Sequence, residues 1–472
     1  MSTDTVRTIN PATGETLQDY PAFTRDQIGQ ALAQVHSGQP DWAARRPAER
    51  AAHLGRLAAH LRGTPEQLAR LAVLKMGKPT GEALAEVDKC AWACEYYAET
   101  GPRLLADQDV PTGAQRSWVA HEPLGVILAV MPWNFPYWRV FRFLAPTLTA
   151  GNAALLKHSP NVTGCALAIE DILRDAGLPS DVFRSLVIAE PDVPAATERL
   201  ITDPRVAAVS LTGSERAGAA VAAAAGRALK KSLLELGGSD PFVVLDDVDL
   251  DTAVTSAVRS RFLNSGQSCL AAKRFIAHAA VAERFTEQFT KAVDALVVGD
   301  PADPAIQLGP LARADLVDAL HAQVSASVTA GATVRAGGRR LDRRGAWYTP
   351  TVLADVTADM PAMTEETFGP AAAVITVRDD DEAARVASAT RYGLGASVWS
   401  GDPDRALGLG RRISSGALFV NAVVASDPRL PFGGIKNSGY GRELGPAGLY
   451  EFTNARTFYV GGGERPAVPA TE

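Results

Sequence analysis

From Leu124 onward the chain alternates short β-branched, apolar runs with segments of helix length, and few folds accept that rhythm. Gly125-Val-Ile-Leu-Ala-Val130, Ala153-Ala-Leu-Leu-Lys157, Arg184-Ser-Leu-Val-Ile188, Ala207-Ala-Val-Ser-Leu211 and Ser232-Leu-Leu-Glu-Leu236 read as strands. Thr163 to Asp175, between two of them, reads as a helix closed by Gly177, with Pro179 just beyond. Parallel neighbours need a crossover connection, so this order predicts βαβ units and a parallel sheet covered by helices on both faces. A second α/β stretch opens at Pro241-Phe-Val-Val-Leu245. Asp246, Asp247, Asp249 and Asp251 follow it, acids placed where a helix N-terminus favours them. Upstream, Asp41 to about Leu105 shows apolar residues at three-to-four spacing and reads as helical. The expected class is α/β.

With 472 residues the chain is long enough for about three structural lobes at roughly 150 residues each. Its formal net charge of −6 is not gathered into blocks, which argues against a nucleic-acid or membrane partner and for a small molecule. The longest apolar stretch, Leu124 to Met131, is far below the roughly 20 residues that span a bilayer. The start, Met1-Ser-Thr-Asp4, lacks the apolar run of a signal peptide. Four cysteines, Cys90, Cys94, Cys165 and Cys269, are too few for a disulfide framework and suit a reducing compartment, so the expected location is cytoplasmic.

Neither GxGxxG nor GxxxxGK[ST] occurs, so a nucleotide must be held another way. The turn Leu211-Thr-Gly-Ser-Glu-Arg-Ala-Gly218 offers a helix N-terminus with Gly213 and Ser214, equally a phosphate cradle or a helix cap. Cys90, Cys94 and Cys165 sit in apolar helical segments and read as packing residues, and no His or Cys cluster implies a metal. Cys269 differs: it lies in the polar loop Asn264-Ser-Gly-Gln-Ser-Cys269, a setting compatible with a nucleophile. Glu235 is an acid inside an apolar strand, either a general base tuned by burial or a strand-end carboxylate reaching solvent. Asn134, in Met131-Pro-Trp-Asn-Phe-Pro136, is held by two prolines after a strand, where an amide serves as an oxyanion donor or simply ends the strand.

The order and spacing of these pieces resemble the aldehyde dehydrogenase superfamily over nearly the whole chain. The matching stretches are Pro132-Trp-Asn-Phe-Pro136, the strand ending at Lys157, Leu211-Thr-Gly-Ser214, Leu234-Glu-Leu-Gly-Gly238 and Gly266-Gln-Ser-Cys269. Further along come Glu365-Glu-Thr-Phe-Gly-Pro370, Asn421, and Pro431-Phe-Gly-Gly-Ile-Lys436 with Ser438-Gly-Tyr-Gly441. The resemblance implies Cys269 as nucleophile, Asn134 and the Cys269 N–H as oxyanion donors, and Glu235 as the base that activates water against a thioester. It implies a cofactor site of Trp133, Lys157, Ser159, Pro160, Gly213, Ser214, Leu236, Glu366 and Phe368. Lys157 and Glu366 would hold ribose hydroxyls, Ser214 the pyrophosphate, and Phe368 would pack near the nicotinamide. Members favouring NAD commonly carry Glu three residues after the matching lysine. Here Pro160 stands there, which implies that NADP is tolerated beside NAD.

Lys157-His-Ser-Pro-Asn-Val162 and Ser426-Asp-Pro-Arg-Leu-Pro-Phe-Gly-Gly434 look most like the shorter bacterial succinate-semialdehyde dehydrogenases. The resemblance implies Arg142 and Ser426 as the binders of a substrate carboxylate. A second arginine found in some such enzymes is Leu263 here, which leaves a broad-specificity or other aliphatic aldehyde dehydrogenase open. A cofactor-independent thiol hydrolase using Cys269 and Glu235 is the competing class. The implied domains are 1–104 with 123–236 for NAD(P), 237–435 for catalysis, and 105–122 with 436–472 as a bridging element that makes a homodimer or homotetramer.

Overall fold

A computed structural model describes residues 5–462. The ten residues of the tail after Gly462, and the first four residues read above for a signal sequence, lie outside it. The helical stretch resolves into Pro47–Gly63, Pro65–Met76 and Thr80–Leu104, and a further helix, Arg25–Ala43, begins well before Asp41. These pack on a six-stranded sheet ordered Gly439–Tyr440, Lys231–Glu235, Val206–Thr212, Val126–Met131, Ala153–His158, Phe183–Ser185. All neighbours are parallel except the first pair. Four strands fall close to where the sequence places them. The Arg184 to Ile188 run is strand only over its first residues, and Leu186 to Ile188 continues as buried coil.

Val126–Met131 is the earliest strand of the parallel set yet lies in its middle, with later strands on both sides. The order reverses there, and the crevice at such a reversal is where open α/β sheets hold ligands. The loop carrying Asn134 leaves this strand at its carboxyl end, and the helix Trp138–Thr149 that follows is buried along its whole length.

A second sheet of seven strands holds Asp240–Val244, Ala272–His278 and Ala371–Val377 at its centre. Asp240–Val244 and Ala272–His278 are buried along both faces, as the centre of a sheet covered on both sides requires. Along Asp240–Val244 the alternation is literal: Phe242 and Val244 enter one core with Phe275 and Trp399, while Val243 enters the other with Ile276 and Leu353. Phe242 stacks on Trp399 with ring centroids 5.0 Å apart.

The hairpin and C-terminal strand expected as a bridging element form a separate antiparallel sheet of Gln108–Asp109, Arg116–Pro123 and Thr453–Val460. One expectation needs correction. The segment after residue 435 does not belong wholly to this element, because Gly439–Tyr440 pairs with Glu235 and Leu234 and completes the first sheet. Gly439 is required there: its φ is +108°, and a Cβ would lie 2.0 Å from the Leu234 carbonyl oxygen.

Candidate active site

The loop between the helix Leu250–Phe262 and the strand Ala272–His278 carries the nucleophile candidate. Asn264, Ser265 and Gly266 all have φ between +53° and +72°, a run of left-handed residues that persists only when its surroundings hold it. They do. The Asn264 amide nitrogen donates to the carbonyls of Asn134 at 2.8 Å and Gln267 at 3.1 Å, and its backbone N–H donates to Glu82 Oε2 at 2.7 Å. Ser265 Oγ and the backbone of Gly309 exchange hydrogen bonds at 3.1 Å. The fully buried Lys273 donates to the carbonyls of Ser268, Cys269 and Ala271 at 2.9 to 3.1 Å, a cation gathering the loop around itself. Gly266 could carry no side chain, since a Cβ would meet the Gly369 oxygen at 2.3 Å.

Cys269 emerges from this loop buried, and Arg139 Nη2 donates to its Sγ at 3.0 Å. Burial works against the Arg139 charge, but the Cys269 sulphur and the carboxylates of Glu443 and Glu235 sustain it above the ordinary arginine value. Asn134 Nδ2 donates to the Gln267 carbonyl at 3.0 Å, so the amide expected as oxyanion donor sits against the loop of the nucleophile. Cys90, Cys94 and Cys165 are fully buried in the helical layer, where burial pushes their thiols up.

Glu235 ends its strand 1% exposed, and neither carboxylate oxygen has a hydrogen-bond partner among the described residues. Burial raises it to about 8, Arg142 opposes that rise, and Glu443 adds to it. Arg142 comes no nearer than 4.0 Å because its closest contact is an ion pair with Glu443, so its pull is largely spent there.

This settles where Arg142 sits, and the expectation that it faces a substrate needs correction. It is fully buried behind the site between Glu443, Glu235 and the ring of Phe432. One helical turn earlier, Arg139 does reach the cavity, as Arg259 does from the helix Leu250–Phe262. That cavity, of ≈610 Å³, is bounded by Lys89, Trp138, Arg139, Ser268, Leu270 and Ser426, with Leu263 at its wall. Ser426 Oγ accepts a hydrogen bond from Lys89 Nζ at 2.9 Å.

The expected cofactor residues surround the carboxyl edge of the first sheet. Lys157, the last residue but one of Ala153–His158, is a buried ammonium that burial lowers to about 8, with no ion-pair partner within 4.0 Å among the described residues. Pro160 opens a short turn at Pro160–Val162, and Ser159 Oγ donates to Asn161 Oδ1 at 2.7 Å. Ser214 caps the helix Glu215–Arg227 by accepting from the Ala217 N–H, so capping and an open helix N-terminus coexist at Gly213 and Ser214. Leu236 packs its methyls against Gly218 of that helix. Glu366 accepts from the Gly238 N–H at 2.9 Å and stands 3.8 Å from Lys273. Phe368 meets Trp133 edge to face at 5.7 Å. A buried ammonium, a carboxylate and a helix N-terminus along one sheet edge are the donors and acceptors a dinucleotide needs. Among the described residues no cluster of His, Cys, Asp or Glu is arranged to hold a metal ion.

Several residues that shape the site escaped the sequence reading. His158 takes the Ser159 N–H on Nδ1 at 2.9 Å, so its Nε2 bears the proton and donates to the Pro136 carbonyl at 2.8 Å, tying the Asn134 loop to the Lys157 strand. Buried Arg261 donates to the carbonyls of Thr367 and Ala371 and fastens the Glu366 loop. Lys89, Asn264, Lys273 and Glu443 carry no spacing signal of their own. Asn264 lies in the polar loop of Cys269, Lys273 four residues beyond that cysteine, and Glu443 two residues past Gly441, but none of these positions tells what the side chain will hold.

A nucleophile on a strained loop, an amide beside it, and a buried acid behind them agree with what a whole-chain comparison gives. The model of the aldehyde dehydrogenase family matches residues 1–458. The chain belongs to that family. It is 47% identical over 455 residues to a probable succinate-semialdehyde dehydrogenase [NADP(+)] of Synechocystis, covering 96% of this chain and 99% of that protein. It is 45% identical over 458 residues to succinate-semialdehyde dehydrogenase [NADP(+)] 1 of Mycobacterium tuberculosis, covering 96% and 99%. Among solved structures, a succinic semialdehyde dehydrogenase from Streptococcus pyogenes in complex with NADP+ superposes with a TM-score of 0.93 at 36% identity, covering 97% of this chain and all of that one. The family resemblance read from the motifs is therefore confirmed, and with it the α/β fold of an aldehyde dehydrogenase.

Proposed function

We propose that this protein oxidises succinate semialdehyde to succinate, with NADP+ as electron acceptor and NAD+ as an alternative. The reaction type rests above all on the meeting of Arg139, the Asn134 loop and Cys269 beside one cavity, whose wall takes in Phe135, Arg139, Ser268 and Leu270. The substrate and cofactor are supported by the names of the relatives at 45% to 47% identity. Pro160 supports the cofactor too, since it offers a 2′-phosphate no repelling carboxylate.

In this reading Cys269 Sγ attacks the aldehyde carbon, and the oxygen that becomes anionic accepts from Asn134 Nδ2 and the Cys269 N–H. One such preorganised donor is worth about 3 to 4 kcal/mol of barrier. An oxidised nicotinamide, when bound, would supply the acceptor for the hydride lost as the C–H bond of the Cys269 thiohemiacetal breaks and the thioester forms. Glu235 then takes a proton from water, the hydroxyl adds to the thioester carbon, and the C–S bond breaks to return the sulphur and release the acid. Lys157 and Glu366 would hold ribose hydroxyls and the N-terminus at Gly213 and Ser214 the diphosphate, with Trp133, Leu236 and Phe368 lining the nicotinamide end and Ser159 and Pro160 the adenosine end. The antiparallel sheet at Thr453–Val460 would pair protomers into a homodimer or homotetramer.

The test is reduced-nicotinamide absorbance with succinate semialdehyde, in wild type and in Cys269→Ala. Substrate-dependent reduction that disappears in the variant is expected. Ester cleavage by Cys269 with no reduction of either nicotinamide would replace this reading with a thiol hydrolase.

A further inference from the structure

Lys89 lies on the helix Thr80–Leu104, half-buried, and lines the cavity that also touches Arg139, Ser268 and Leu270, the neighbours of Cys269. Within 4.0 Å it has no carboxylate partner among the described residues, and Ser426 Oγ is its one hydrogen-bond acceptor there. An ammonium has three donors, so two remain for a ligand. The Trp138 ring, 4.6 Å from Nζ, holds the group in place.

The nearby acids are committed elsewhere. Glu86 accepts from the N–H groups of Tyr137 and Trp138 at 2.8 and 2.9 Å and pairs with Lys78 through its other oxygen. Glu82 accepts the Asn264 N–H. Of the two arginines on the adjoining helix, Arg139 is turned to the Cys269 sulphur and Arg142 to Glu443. Glu82 and Glu86 line the cavity too, as does Arg259, but neither acid comes within ion-pairing distance of Lys89, and a partly desolvated cation left so is costly unless an anion arrives from outside. Its burial, with Arg142 and Arg139 adding to the effect, draws Lys89 down to about 8, which a bound carboxylate would reverse.

We propose that Lys89, with Ser426 as its partner, is the residue that binds the distal carboxylate of a short semialdehyde substrate. This rests on the proposed oxidation of a carboxylate-bearing aldehyde and assigns the specificity of that reaction to a lysine that no motif contains.

The experiment compares kcat/KM for succinate semialdehyde with that for its methyl ester, which has the same chain and no charge, in wild type, Lys89→Met, Lys89→Arg, Ser426→Ala and Arg142→Gln. In Lys89→Met the ratio should fall at least ~30-fold, chiefly through KM, the scale expected when one partner of a desolvated charge pair is removed. Lys89→Arg should recover most of the preference, and Ser426→Ala should lower it at least ~10-fold, as for one hydrogen bond to a charged group. In Arg142→Gln both substrates should suffer together.

A wild-type ratio near one would remove both the carboxylate reading and the role of Lys89. A wild-type preference that survives in Lys89→Met, or one that collapses only in Arg142→Gln, would overturn Lys89 alone and leave the function standing. Should Lys89→Met not fold, an unchanged ratio in Ser426→Ala is enough to overturn the proposal.

Discussion

Cys269 and Glu235 divide the chemistry, and they answer to substitution differently. Without a base, Glu235→Gln should still form the thioester. It should release about one equivalent of reduced nicotinamide per site in a fast phase and then turn over ~10²- to 10⁴-fold more slowly, a pattern that stopped-flow absorbance resolves. The base is the ionised form, and burial raises Glu235 to about 8. Steady-state turnover limited by hydrolysis should therefore climb as pH rises through about 8, while the fast phase in wild type should not follow that curve. Lys89 gives a separate signature because it must be protonated to attract a carboxylate. The groups acting on it are Arg142 and Arg139, which lower it, and Cys90 and Asp427, which oppose them. KM for the semialdehyde should rise above pH about 8 while KM for the methyl ester does not, and parallel curves would argue against a charge at that end. At this scale Cys269 stood out in the sequence by its polar loop, Glu235 by being the one acid in an apolar strand, and Asn134 by its flanking prolines. Lys89 could not stand out, because its meaning depends on Ser426, 337 residues away.

The helix Trp138–Thr149 shows how an element can be placed by a residue outside it. Its first turn has no side-chain cap of its own, and the Glu86 carboxylate takes the N–H groups of Tyr137 and Trp138 instead. An anion at that end also suits the helix dipole. Since Lys78 neutralises Glu86 in a dry setting, removing one partner strands the other. Glu86→Gln should cost about 3–5 kcal/mol in denaturant unfolding. The half-exposed Arg62–Glu95 pair at 2.7 Å is the control, and Glu95→Gln should cost under about 1 kcal/mol. The strands of the first sheet were legible because both faces are buried and each strand is a continuous apolar run. Two elements were harder. Gly439–Tyr440 is too short to show a period, and its pairing is made by backbone approach at a glycine. The early start of Arg25–Ala43 was hidden because Gly29, Ser37, Gly38 and Pro40 interrupt its apolar spacing, while Thr24 caps it through a local hydrogen bond.

For the molecule as a whole, the three-stranded sheet leaves Thr453–Val460 on an outer edge, with Tyr459 62% exposed and Trp118 stacked on Phe458 at 4.8 Å. Open edges of that kind invite pairing with another copy. Sedimentation should give a multiple of the 49.7 kDa chain mass, and Tyr459→Lys should shift the distribution toward the monomer. The sheet crossing of Gly439–Tyr440 has a consequence in time. A ribosome releases this chain from its amino end, so Cys269, Asn134 and Glu235 are all outside the tunnel while Glu443 is still to be made. Until that last segment threads back beside Lys231–Glu235, Arg142 has no Glu443 to hold it and Glu235 has an open flank. Catalytic competence thus waits until Glu443 has been made and brought back to Arg142, and a chain that stopped short of it would keep its reactive thiol without the acid cluster that completes its chemistry.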